Sequence, residues 1–263
     1  MAKGNIEACV NEIDQWMVQN KLKLNGDKTE VVLLSASHLS TPTTSPIKIS
    51  GFDISPSKSA RNIGVIFDES VSLDLHITSV CKSCFYHIHN IWKIRKFLSL
   101  KSCEILVHSF VSSKLDFCNS LLYGLSESSL AKLQHVQNAA ARLVTLAHKR
   151  ENITPLLINL QWLPIKQRIK FKVLLLVFKC LNGSAPLYLS ELLSPYRPSR
   201  SLRSSSSNLL VKQSSNFKYY GLRAFRSAGP ELWNSLPNDL RLVTSLDRFK
   251  IMIKTYLFNE AYH

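Results

Sequence analysis

The side chains whose types and spacing bear on chemistry are few. Asn25-Gly26-Asp27-Lys28-Thr29 sets an ammonium group at a turn just before the apolar stretch Val31-Val32-Leu33-Leu34. Taken alone the segment reads as a surface lysine at a turn before a strand. Arg61-Asn62-Ile63-Gly64-Val65 is the second group. Its glycine permits close approach of backbone to backbone, which suits a phosphate contact and sheet packing equally, and Arg61 stands where it could meet a phosphate. Two-metal phosphoryl transfer would also need carboxylates held side by side. Asp14, Asp27, Asp53 and Asp68 stand apart and no Asp-Asp pair occurs, so no metal site is expected. Cys81-Lys82-Ser83-Cys84 is one isolated CxxC, followed by His87 and His89. All four fall in a single helical stretch, which does not easily wrap a tetrahedral ion. There is no phosphate-cradling glycine loop and no nucleophile elbow.

The elements that must position these residues follow from periodicity. Ile6, Cys9, Val10, Ile13 and Met17 predict an amphipathic helix over 4–20. Thr29–Ser35 reads as a buried strand, 36–46 as a Ser/Thr/Pro loop, Ile47–Ser50 and Phe52–Ile54 as a tight hairpin about Gly51, and Asn62–Phe67 as a further strand. From Leu73 the period becomes helical. Four long helices are expected: one to about Arg95, one through Ile105, Phe110, Val111, Leu115 and Cys118, one over Leu130–Val144, and one through Ile165 and Phe178, ending near Asn182-Gly183. Residues 194–217, rich in Ser, Pro and Arg, read as a mobile basic linker. A short helix near Trp233 and a last amphipathic helix over Leu246–Phe258 close the chain. The fold class is therefore mainly α with a small antiparallel sheet (α+β), its helices forming a bundle. Trp16, Trp92, Trp162 and Trp233 have apolar neighbours and are expected in cores rather than as base-stacking platforms.

The net charge is +15 over 263 residues, and it is placed unevenly. Residues 1–80 hold 7 Lys/Arg against 9 Asp/Glu, whereas residues 81–263 hold 26 against 9. A near-neutral third joined to a strongly basic remainder suggests a polyanion partner, the plain alternative being a solvated basic surface. Six scattered cysteines, five of them inside apolar helical patterns, suit reduced and buried thiols in an intracellular protein, nuclear or cytoplasmic. No signal peptide is read at the N-terminus, and the most apolar run, Phe171–Leu181, is too short to span a bilayer and carries two lysines, so no membrane association is expected.

Two of these segments, Lys23–Glu30 running into Val31–Leu34 and Ala60–Asp68, resemble the last two palm motifs of the reverse transcriptase of LINE-type (non-LTR) retrotransposons. Downstream, Phe110–Asn119, Leu133–Arg142, His148–Pro155, Leu160-Gln-Trp-Leu-Pro164, Leu181–Leu189 and Ala228–Pro237 are similar to the thumb region of the same elements, so the likeness covers essentially the whole chain. The resemblance implies a partial palm over 1–72, a helical thumb-like domain over 73–193, the linker over 194–217 and a C-terminal helical segment over 218–263. It implies that Lys28 approaches the leaving pyrophosphate in a complete polymerase, and that the hairpin carrying Arg61, Asn62 and Gly64 grips the primer backbone. A thumb clasps duplex, so cations there should meet phosphates: Lys149, Arg150, Lys166 and Lys170, with Arg197, Arg200 and Arg203 in the linker. Lys172 and Arg168 lie well round α-helically from Lys166 and Lys170. The palm's catalytic Asp-Asp motif is missing. The expectation is a C-terminal reverse-transcriptase fragment, inactive alone, that binds RNA–DNA or DNA duplex. It should need no small-molecule cofactor, with Mg²⁺ expected only for the complete polymerase. Two alternatives stay open: the chain is part of an active RNA-directed DNA polymerase, or a co-opted helical module for a protein partner.

Overall fold

In a computed structural model that describes residues 2–35, 45–49, 51–197, 208–213 and 220–263, the amphipathic opening of the chain forms α1, Ala2–Gln19. The chain divides into two units between Thr78 and Ser79. In the first, β1 (Ile47–Ile49) pairs antiparallel with β2 (Phe52–Ile54), and the Lys48 amide donates to Glu7 Oε1 of α1 at 3.0 Å. Ile47 and Ile49 turn inward while Lys48 faces water, the period-two alternation of a half-buried strand. A second hairpin joins β3 (Ser59–Asn62) to β4 (Val65–Asp68), with Asn62 opposite Val65.

Three expectations change here. Asn62–Phe67 is not one strand: Ile63 and Gly64, at φ +44° and +84°, form a two-residue turn that breaks it into the β3–β4 hairpin. Thr29–Ser35 is not a buried strand either. It makes one isolated parallel bridge, Val32 to Ser57, and a backbone bond from Ser35 N to Glu69 O at 2.9 Å, and Leu34 is exposed. An apolar run becomes a ladder only where a second strand offers free backbone groups along its length, and here the bonds go to Ser57 and Glu69, on separate stretches of chain. Trp16 of α1 is 59% exposed, with Ile6 and Ile13 beside it on an open apolar face. The loop expected over 36–46 lies mostly outside the described residues.

α2, Asp74–Ile94, leads into the second unit. There α3 (Leu100–Val107) continues through a π-helical turn, His108–Ser112, into α4 (Ser113–Asp116). This replaces the single regular helix that the spacing predicts. Ser109 Oγ donates back to Ile105 O and Ser113 Oγ to Ser109 O, the back-bonding that loosens a helical turn. Across the π turn Val111 and Leu115 are buried and Phe110 is exposed; Ile105, before the turn, and Cys118, past the end of α4 at φ +51°, are exposed as well. Cys9 is exposed as well, so only Cys84, Cys103 and Cys180 are fully buried thiols. Burial drives the Cys84 thiol up to about 12, with Cys81 adding to it, so it is inert.

α5 (Glu127–Thr145), α6 (Ile153–Asn159) and α7 (Ile165–Leu181) follow, and α7 stops at Gly183, φ +66°. α8 (Leu187–Ser190), α9 (Phe225–Ser235), α10 (Asn238–Arg241) and α11 (Leu246–Tyr262) complete the described elements. α9 and α11 pack on α7: Phe178 stacks on Phe249 at 4.3 Å between ring centroids, and Trp233 lies 5.8 Å from Phe249. Each such burial removes roughly 1.5–3 kcal/mol of unfavourable apolar hydration. The described ends of 194–217 are tied to this core rather than free. Pro195 bridges to Leu210, Leu210 is buried, and Trp233 Nε1 donates to Asn208 O at 2.7 Å.

One unforeseen residue organises the unit. Arg95 follows α2 at the start of a 3-10 turn, Arg95–Phe97, and its buried guanidinium donates to Leu143 O, Val144 O and Leu98 O at 2.8–2.9 Å. It satisfies the last carbonyls of α5 and sets positive charge against the negative end of that helix. Its spacing from Cys84, Ile88 and Ile91 was the available signal, since all fall on one helical face.

Candidate nucleic-acid interface

In the first unit, Asn25 leads a 3-10 turn, Gly26–Lys28, closed by Thr29 Oγ1 donating to Asn25 O at 2.8 Å. Gly26 is required there, because an added Cβ would fall 2.5 Å from the Phe52 ring of β2. The turn leaves Lys28 exposed, and its ammonium pairs with no acidic group among the described residues. It is a fixed point on the backbone carrying a free cation.

The β3–β4 hairpin presents Arg61, Asn62, Ile63 and Gly64 to solvent, with Ile63 85% exposed. Both turn residues have positive φ, the type I′ arrangement of a two-residue hairpin. Isoleucine is costly there, since its branched Cβ crowds the backbone. The Arg61 amide donates to Glu30 Oε2 at 3.3 Å, which ties the hairpin to the chain that follows Lys28. The tip is thus strained, apolar and exposed, with an arginine beside it.

In the second unit, α5 ends at Leu146, φ +58°. The connection to α6 is closed by the His148 amide donating to Glu151 Oε1, by Arg142 Nη2 donating to Glu151 O, and by Asn152 capping α6. Lys149 and Arg150 stand at its tip, exposed and without an acidic partner among the described residues. The basic row of α7 is different. Lys166 pairs with Glu127 of α5 at 2.6 Å, Lys170 with Glu260 of α11, and Arg168 holds Asp116 by two contacts of 2.8–2.9 Å. These bonds tie α7 to three other elements. The Lys166 pair is exposed and worth under about 1 kcal/mol, so a phosphate can replace it, whereas Lys170 is largely covered. Arg197 is exposed, and Arg200 and Arg203 lie outside the described residues.

Beside Arg168 a cleft of about 310 Å³ opens, lined by Asn119, Trp162, Lys172 and Lys254. Trp162 Nε1 and Asn119 Oδ1 are buried there without a protein partner, and Tyr262 Oη donates to Trp162 O at 2.7 Å. Trp162 and Trp233 are buried as the sequence implies, whereas Trp92 is 60% exposed.

A catalytic Mg²⁺ does not fit the carboxylates present. Asp68 is the best placed by burial, but its Oδ1 accepts from Ser70 N, Ser70 Oγ and Ser72 N, and its Oδ2 from Ser72 Oγ and Leu73 N. Burial alone would raise its pKa; the bonds from Ser70, Ser72 and Leu73 outweigh that and hold the carboxyl below its usual value. Its lone pairs cap the start of α2 and are spent before any ion arrives. Among the described residues no three His, Cys, Asp or Glu side chains are grouped to hold a metal, and no helix is long and apolar enough to cross a membrane. No family model, curated protein or solved structure matches the chain.

Proposed function

We propose that the chain is the C-terminal part of a non-LTR retrotransposon reverse transcriptase, the end of a palm followed by a thumb, and that it binds nucleic-acid duplex through its backbone phosphates without catalysing polymerisation by itself. The observation that carries the reading is the β3–β4 tip. The sequence resemblance implies a primer-gripping hairpin here, and the exposure of Arg61, Asn62, Ile63 and Gly64 on a strained turn supports that reading. Lys149 and Arg150 support it, being unpaired cations on an anchored turn in the basic part of the chain. With Asp68 saturated by protein donors, Lys28 has no metal-bound phosphate to serve within this chain. The test is binding of the chain to an RNA–DNA duplex over a salt series. Affinity should fall steeply with salt, and K149E/R150E should flatten the log–log slope by about 2 as two phosphate contacts are lost. A salt-independent affinity would sink the reading, and metal-dependent primer extension by the chain would overturn its inactivity.

A further inference from the structure

Between Asp74 and Glu104 the chain carries no acidic residue, but it carries Lys82, Lys93, Arg95, Lys96 and Lys101. Arg95 is the one turned inward. At 100° per residue, Lys82, Phe85, Tyr86, His89, Trp92 and Lys93 fall within an arc of about 120° on α2, while the buried Cys84 and Ile91 lie on the opposite side. All six are exposed, Tyr86 by 65% and Trp92 by 60%, and the stripe runs for roughly 16 Å before Lys96 and Phe97 extend it. Lys96 sits 4.9 Å over the Phe97 ring. Phe85 is steadied by the His135 ring of α5, 5.7 Å away. None of Lys82, Lys93 and Lys96 pairs with an acidic group among the described residues.

A helix face that a second folded protein covers would gain nothing from three unpaired lysines beside its aromatic rings; their desolvation would oppose docking. A row of flat rings with free cations at both ends, Lys82 before it and Lys93 and Lys96 after it, instead matches a polymer of flat apolar bases on a chain of phosphates. We infer that this α2 stripe is a binding track for single-stranded nucleic acid, Tyr86 and Trp92 stacking on bases and Lys82 and Lys93 meeting phosphates. A duplex cannot use it, since its bases are already stacked on one another. The inference is independent of the duplex reading, which rests on other residues.

The experiment is anisotropy titration of the full chain with a labelled twelve-nucleotide oligo-U and with an RNA–DNA duplex. Trp92→Ala should weaken oligo-U binding by about tenfold, while Trp92→Phe, which keeps a ring, stays close to the parent. Lys82→Gln with Lys93→Gln should reduce the single-strand salt slope by about 1.4. Duplex affinity should be unchanged by Trp92→Ala, as single-strand affinity should be by K149E/R150E. Circular dichroism of each variant excludes unfolding as the cause. Absence of oligo-U binding, or equal binding by the parent and Trp92→Ala, would overturn the inference. So would a dimer in sedimentation that Trp92→Ala dissolves, because the stripe would then be an interface between copies.

Discussion

At the scale of single residues, four side chains do more than their type suggests. Ile63 holds φ +44° at the exposed hairpin tip, and a left-handed β-branched residue costs on the order of 1 kcal/mol. Ile63→Asn should therefore raise the stability of the first unit by about that much in urea unfolding, while weakening duplex binding if the tip is the contact. Arg95 makes three bonds to helix-end carbonyls, so Arg95→Met should lower stability by about 3 kcal/mol. Lysine should not rescue it, because one ammonium cannot span the fork that reaches Leu143, Val144 and Leu98. Asp68 and His76 make the first unit acid-sensitive in two steps. Burial, with Arg61 adding to it, lowers the His76 pKa below 6.5, so the unfolded state binds the proton first and stability falls as pH drops below that value. Asp68 is likewise depressed below 3.8, so its contribution is present above that pH and is lost as pH falls further. A denaturation series from pH 8 to pH 2 should show both declines, and His76→Gln should remove the first.

Among elements, periodicity reads helices well but not their irregularities. The spacing of Leu130, Leu133, Val136, Ala140 and Val144 yields α5, and all five are buried. The same reasoning fails at Phe110, which lies inside the π turn His108–Ser112, where an inserted residue shifts the facing; Ile105, before the turn, is exposed as well. Nothing in the side-chain types marks that turn beyond Ser109 and Ser113, whose hydroxyls compete for helical carbonyls. α7 and α9 approach closely at Gly229, where an added Cβ would lie 3.0 Å from Val177 Cγ2 and 3.4 Å from Leu193 Cδ2. Gly229→Val should cost about 1–3 kcal/mol by overpacking that contact, read as a lowered midpoint in thermal unfolding.

Over the whole molecule the two units differ in how completely they bury what they carry. The first leaves Ile6, Ile13, Trp16, Val18 and Leu34 exposed, and its hairpins are each of two strands. Two-stranded hairpins are marginal without further packing. The second encloses Phe178, Trp233, Phe249, Ile253 and Leu257 in one core. Native-state hydrogen exchange should therefore show weaker protection over residues 4–68 than over 79–182, and equal protection would mean that α1 and the hairpins are held by more than their own contacts.

The sequence by itself determined the long regular helices, the hairpin about Gly51, the basic bias after residue 80 and the lack of an Asp-Asp pair, because these depend on neighbours within a turn or on counting. Only the tertiary structure decided which cations are free. Lys166 and Lys170 share a face with nothing local to oppose them, yet their partners Glu127 and Glu260 come from 39 and 90 residues away. It also decided that Trp162 and Trp233 are enclosed while Trp92 faces water beside Lys93. Periodicity says that a helix has an apolar side, but whether an aromatic at its margin is covered depends on which distant element packs there, and that is set by the fold.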